Sequence, residues 1–210
     1  MYLVAFNVVS AVGWAVVLAL TVAAITATGQ LGATHAQSWS VLAPVQSLAA
    51  LEVVHVLFGL VRSPLPTTLM QVSSRLVLVW AIVARFPSTH ASPIYTTMVL
   101  AWSLTEVPRY AYYALGLLGV HPPPWLTWLR YSTFYLLSPL GAGSEALLAF
   151  STISEWHATW SLEDWLKAAM VLIWIPGTSS PPHLPPPNLF HRPLCHVYSH
   201  DPHSRQGPWS

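Results

Sequence analysis

Ser138 and Glu145 stand seven residues apart in an apolar stretch, residues 130–150, that reads RYSTFYLLSPLGAGSEALLAF. Seven residues is about two helical turns, so both side chains share one face, roughly 10 Å apart along the axis. A carboxylate at membrane depth is expensive, and its usual justification is function. The chemistry open to it is proton transfer. Apolar surroundings favour the neutral carboxyl and a nearby arginine favours the charged one, which brings general acid–base work within reach. Ser138 offers only a weakly acidic hydroxyl, and a hydroxyl bonded back to a helix carbonyl is its plainer reading. Between the two, Pro139 removes a backbone donor and can bend the helix, while Gly141 and Gly143 admit a close neighbour.

Further ionisable residues fall at similar depth: Glu52, Arg75, Glu106 and Arg109, with Arg130 near an interface. Glu106 and Arg109 are three apart, the spacing of an ion pair within one helix. Glu52 and His55 share that spacing and are expected to face another helix. Mutual pairing to hold a bundle is the structural reading of the set. Each such group costs roughly 3 kcal/mol at the bilayer centre unless satisfied, and a scaffold could use leucine and small residues instead. A functional polar pocket is therefore expected, with Glu145 its chemical member. A Ser–His–Asp triad is not supported, because the chain has no G-x-S-x-G and no aspartate at membrane depth.

The elements that must position these residues follow from composition. Of 210 residues, 54% are hydrophobic and only 7% charged, against about 25% charged in a soluble domain. So few charges cannot cover a water-facing surface, and the class is an integral membrane protein. A net charge of +1 gives no reason to expect nucleic acid. Cys195 is the sole cysteine, which excludes an intrachain disulfide and a cysteine-based zinc site. His191, His196, His200 and His203 lie in a Pro-rich, low-complexity tail, and neither a metal nor a cofactor is expected.

Spanning helices are expected at residues 2–27, 41–61, 67–85, 94–118 and 125–150, each near the 20 residues a bilayer requires. No basic region precedes the first, which is expected to stay as a membrane helix. Residues 29–40 read as a polar loop, and Pro64, Pro66 and the prolines at 122–124 as breaks. A sixth apolar run at 165–175 is stopped by Pro176-Gly177. The expected fold is all-α, a polytopic membrane helix bundle of five full spans plus a truncated sixth. Its membrane domain covers 1–177, and 178–210 form a disordered tail or a gene-model artefact. Lys and Arg are too sparse in the loops to fix orientation.

Several pieces together resemble the very-long-chain (3R)-3-hydroxyacyl-CoA dehydratases, the membrane family once called protein-tyrosine-phosphatase-like. They are Gly13-Trp14, LEVVH from Leu51, QVSSR from Gln71, AWSLTEVPRY from Ala101, and LRYSTFYLL with PLGAGSE from Leu129, in order over residues 1–150. The resemblance implies a multi-pass lyase of the endoplasmic reticulum with six helices and cytosolic termini. It would convert 3-hydroxyacyl-CoA to trans-2-enoyl-CoA in fatty-acid elongation, beside the condensing enzyme and reductases of that cycle. In the family a Tyr directly precedes the proline and a Glu follows seven residues later, and these two are the catalytic pair. Glu145 matches the Glu, whereas the Tyr position holds Ser138. Tyr135, a turn earlier, is a possible substitute, although it lies roughly 15 Å from Glu145 along a straight helix.

Arg75, Glu106, Arg109, Tyr110, Arg130 and Gly141 match other positions typical of the family. Arg130 is placed for CoA phosphate, and Arg75 and Arg109 for orienting Glu145 and Glu106. The short sixth run is a second departure and removes the basic tail expected for retrieval to the reticulum. The alternative to an enzyme is a catalytically impaired homologue that binds acyl-CoA or elongase partners. A small transporter is disfavoured, since the two halves show no inverted repeat.

Overall fold

The computed structural model describes residues 1–153; the run at 165–175 and the tail at 178–210 lie outside the described residues. Those described are all helix, with no strand. Helix α1 covers Tyr2–Thr28, α2 His35–Leu48, α3 Ala50–Leu57, α4 Leu65–Val77, α5 Pro93–Leu117 and α6 Pro124–Phe150. Helix α4 continues without a break into a wider π turn, Leu78–Val83. Among the described residues, three stretches are long and apolar enough to cross a membrane: Tyr2–Thr28, His35–Leu57 and Leu65–Val83.

Helix α1 shows which solvent surrounds the bundle. Its buried residues are Asn7, Ser10, Trp14, Val17, Thr21 and Ala24, spaced by three and four as in a heptad seam. Val8, Val9, Val12, Val16 and Val22 are exposed. Polar and small residues inside with valines outside is the arrangement lipid selects, because burying a valine gains nothing when the solvent is itself apolar. Of the two buried hydroxyls, Thr21 Oγ1 donates to Val17 O at 2.8 Å, and Ser10 Oγ has no hydrogen-bond partner among the described residues.

The seam packs on α2 and α5, and α5 packs in turn on α6. Helix α5 is the central element, burying Tyr95, Met98, Val99, Trp102, Glu106 and Tyr110. Side-chain bonds fix which ends meet. Tyr2 on α1 bonds His55 on α3 at 2.9 Å. At the opposite end Thr34 bonds Thr96 at 2.6 Å, and Ser38 bonds Tyr95 at 3.1 Å. The starts of α2 and α5 therefore lie side by side, and the two helices run in the same direction.

Two boundaries differ from the sequence reading. Residues 35–40 are the first turns of α2 instead of loop, because Ser38 finds partners in Thr34 O (2.9 Å) and the Tyr95 hydroxyl. The run at 41–61 is divided at Ala49, whose N–H bonds Gln46 O at 3.1 Å in a tightened turn. Close packing sets the turn between α1 and α2: a Cβ on Gly32 would stand 2.3 Å from Ala91 O.

Candidate functional site

Every expected ionisable residue at membrane depth is drawn to the middle of the bundle, around α5. Glu106 is 4% exposed and receives two arginines, Arg75 Nη1 at 2.5 Å from α4 and Arg109 Nε at 2.5 Å from its own helix. Arg109 also forks onto Glu52 of α3, with Nη2 to Oε1 at 2.7 Å and Nη1 to Oε2 at 3.3 Å. The Tyr110 hydroxyl donates to the same Glu52 Oε1 at 2.5 Å. Signs alternate along the chain Glu52, Arg109, Glu106, Arg75, so each charge meets its opposite and the network is neutral. The expected pair Glu106–Arg109 forms; Glu52 reaches across to α5, while His55 reaches back to α1.

Glu145 sits apart from that network. It is 2% exposed, and its Oε1 accepts a hydrogen bond from Trp102 Nε1 at 2.7 Å. Its Oε2 is buried without a hydrogen-bond partner among the described residues. The Arg75 guanidinium lies 4.9 Å from the centre of the Trp102 ring. Trp14 supports the indole edge to face, ring centres 6.3 Å apart. Arg75 bonds Glu106 and lies against the Trp102 ring, whose Nε1 donates to Glu145.

A cavity of about 320 Å³ joins these groups, lined by Glu52, Arg75, Trp102, Glu106, Arg109, Arg130, Ser138, Gly141 and Glu145. Ser138 and Glu145 thus share a face and a cavity, as their spacing requires. Tyr135 does not join them: it is 51% exposed and absent from the cavity wall. Its place ten residues before Glu145 turns it to another face of α6. Gly141 packs against α5, where an added Cβ would make ordinary contacts of 3.7 Å with Ala101 and Trp102. Gly143 meets nothing within 4 Å, so the close approach expected there is absent among the described residues.

Arg130 lies near the start of α6, where Nη2 donates to the Tyr113 hydroxyl at 2.6 Å and the guanidinium stacks 4.8 Å from that ring. It lines the same cavity about 22 Å along the helix from Glu145 at 1.5 Å per residue. A second cavity of about 220 Å³ shares Glu52, Arg109 and Tyr113 as a wall and is closed on its other side by Phe6, Asn7 and His55.

Among the wall residues that the sequence reading did not single out are Trp102 and Gln46. Trp102 lies four residues before Glu106 and so shares its face, which was the available signal. Gln46 lies three and six residues before Ala49 and Glu52, and all three line the cavity. Neither is ionisable, so neither stood out in a search for charge.

The chain matches the family model described as "Protein tyrosine phosphatase-like protein, PTPLA" over residues 46–180. It is 42% identical over 177 residues to a Schizosaccharomyces pombe protein named a probable very-long-chain (3R)-3-hydroxyacyl-CoA dehydratase, covering 84% of this chain and 85% of that one. A very-long-chain (3R)-3-hydroxyacyl-CoA dehydratase of Caenorhabditis elegans is 41% identical over 73% of this chain and 71% of its own. The rice (Oryza sativa subsp. japonica) dehydratase PASTICCINO 2B is 36% identical over 88% and 87%. No solved structure matches the chain significantly. On sequence similarity over most of its length, the chain belongs to the protein tyrosine phosphatase-like family, PTPLA, the family of the very-long-chain (3R)-3-hydroxyacyl-CoA dehydratases.

Proposed function

We propose that this protein is a lyase that removes water from (3R)-3-hydroxyacyl-CoA to give trans-2-enoyl-CoA, the dehydration step of very-long-chain fatty-acid elongation. The observation that carries the chemistry is Glu145, a buried carboxyl with one oxygen held by Trp102 and the other unpartnered on a cavity wall. Dehydration needs a proton taken from C2, beside the thioester, and a proton delivered to the hydroxyl leaving C3. Glu145 does both. Oε2 takes the C2 proton, and the electron pair left behind passes to the thioester oxygen. It returns to form the C2=C3 bond as the C3–O bond breaks. The protonated carboxyl hands its proton to the departing hydroxyl, water leaves, and the carboxylate is restored.

Ser138 acts as a hydrogen-bonding partner of the 3-hydroxyl, since an aliphatic hydroxyl can position that group but is a poor acid. Arg130 holds phosphate at the other end of the cavity, a distance on the scale of an extended phosphopantetheine arm. The network of Glu52, Arg75, Glu106, Arg109 and Tyr110 fixes the helices that carry Trp102 and Glu145, and Gly141 keeps α6 close to α5.

Helices α5 and α6, 25 and 27 residues long, we also read as membrane-crossing. With 165–175 as a shortened sixth segment they complete a bundle of five full spans, in a domain of residues 1–177 followed by a tail. The relatives' activity supports residence in the endoplasmic reticulum membrane beside the condensing enzyme and reductases of elongation. The test is turnover by the purified full-length protein in detergent. Formation of trans-2-enoyl-CoA from (3R)-3-hydroxyacyl-CoA is the expected result, and none above the uncatalysed rate would refute the assignment.

A further inference from the structure

The dehydration proposed above leaves one group without a partner. As the C2 proton departs, negative charge gathers on the thioester oxygen, and a donor placed there in advance is commonly the largest single contribution to such a reaction. The arginines of the central network are already committed to Glu52 and Glu106. A different wall residue is not committed to anything. Gln46 is 1% exposed, lines the cavity that holds Glu145, and leaves both its amide nitrogen and its amide oxygen without a hydrogen bond among the described residues.

A buried primary amide with neither end satisfied is unusual. Each unpaired polar atom costs about 1–3 kcal/mol relative to being bonded, and an apolar residue of the same shape would avoid the cost. Ser47, next in sequence, donates its Oγ to Ala43 O at 2.7 Å, and Thr105 on the cavity wall donates its Oγ1 to Ala101 O at 2.8 Å. Among the described residues that line the cavity, Gln46 is the one whose amide nitrogen and oxygen are both buried without a partner.

Its depth is that of the chemistry. Ser38 on α2 bonds Tyr95 on α5, which aligns the two parallel helices. Gln46 lies eight residues beyond Ser38, and Trp102 seven beyond Tyr95. At 1.5 Å per residue these place Gln46 about 12 Å and Trp102 about 10 Å deeper than the shared bond. Trp102 bonds Glu145 directly, so Gln46 and Glu145 occupy one level of the bundle, on different walls. Immediately after Gln46 the helix turns tightly at Ala49, which ends α2 at the cavity wall.

We infer that Gln46 is a catalytic residue whose amide N–H donates to the thioester carbonyl oxygen of a bound 3-hydroxyacyl-CoA and stabilises the charge that forms there when Glu145 takes the C2 proton. The inference rests on the dehydratase reading and names a component that reading lacks. The Gln46 oxygen remains an acceptor and is the natural partner for the substrate's 3-hydroxyl or for an amide N–H of the pantetheine arm. No proton is exchanged with Gln46, so the balance of the reaction is unchanged.

The test compares the full-length protein with Gln46→Met, which keeps the length of the side chain and removes both polar ends. Two readouts are taken: kcat and KM for (3R)-3-hydroxyacyl-CoA, and the infrared stretch of a 1-13C-labelled thioester carbonyl in bound substrate. The expected result is a kcat lower by about 100-fold, the scale of losing one such donor, with KM within a few-fold. The labelled band should move to lower frequency on binding to the wild type and lie closer to its solution position in Gln46→Met. Thermal stability of the variant should be equal or higher, since the orphaned amide is gone. Equal kcat in both proteins, or the same band position in both, overturns the role of Gln46 while leaving the dehydratase reading intact. A wild type that binds no acyl-CoA overturns both. A wild type that binds without turnover still decides the question through the infrared band.

Discussion

At the scale of single residues, the site divides into groups that hold and one group that is held without being saturated. Glu106 and Glu52 accept from two arginines and a tyrosine, and carboxylates so occupied are structural. Glu145 accepts from one indole. Ser138, two helical turns before it, stands where the resemblance implies a tyrosine. A phenol with a pKa of about 10 is a real acid at the position where an aliphatic hydroxyl is not. Ser138→Tyr is therefore expected to raise kcat about 100-fold, the lower end of what a positioned acid supplies, whereas Tyr135→Phe should leave it within about 2-fold because Tyr135 is half exposed and off the cavity wall. Steady-state rates of the two variants test both statements; a large loss in Tyr135→Phe would mean that α6 bends to bring the phenol inward. Arg130 contacts the far end of the cavity only. Arg130→Gln should raise KM for acyl-CoA about 10-fold with kcat unchanged, the signature of lost uniform binding. A fall in kcat at constant KM would place Arg130 nearer the reacting atoms.

At the scale of elements, the bundle is organised by α5, which carries Trp102, Glu106, Arg109 and Tyr110 on or beside one face and is gripped by α1 and α6. Removing one member of a buried ion pair strands the other, at about 3–5 kcal/mol. Arg109→Met leaves Glu52 with the Tyr110 hydroxyl but no opposite charge, and Glu106 with Arg75 alone, so it should lower the midpoint of thermal unfolding; an unchanged midpoint would show that Glu52 finds another partner. Gly32 tests the packing of the connections at the end where α2 and α5 begin. An alanine there would place its Cβ against the Ala91 carbonyl, so Gly32→Ala should also lower the midpoint, while Gly143→Ala, with open space beside it, should be neutral or raise it by up to about 1 kcal/mol through helix propensity. A destabilised Gly143→Ala would mean that a neighbour covers that face of α6.

The helices themselves were legible in the sequence because apolar runs and proline breaks mark them, and α1, α5 and α6 fall within a residue or so of their expected limits. The Glu106–Arg109 pair was legible because spacing within one helix is geometry. The link from Arg109 to Glu52 was not, since the spacing along a helix says which face a residue occupies but not which helix stands opposite. The start of α2 was hidden for the same reason: Ser38 looks like loop until Tyr95 is known to meet it.

At the scale of the whole molecule, the arrangement is a lipid-facing shell around a polar interior. Valines of α1 face outward and its polar seam faces in, while the cavity runs beside α6 from Arg130 to Glu145. That shape suits a substrate with a charged head and a greasy tail, with the reacting carbons in the dry interior. Trp102 and Gln46 became visible only at this scale, because each is an ordinary residue in its own helix and becomes special through what it faces across the bundle. The function proposed here turns on proton transfer by the Glu145 carboxyl. The most direct measurement is kcat of Glu145→Gln beside wild type, with acyl-CoA binding and thermal stability taken on both. A loss of about 1,000-fold in kcat is expected, with binding retained and the fold intact, within the range for a positioned acid–base group. A folded Glu145→Gln variant that turns over at the wild-type rate would contradict it.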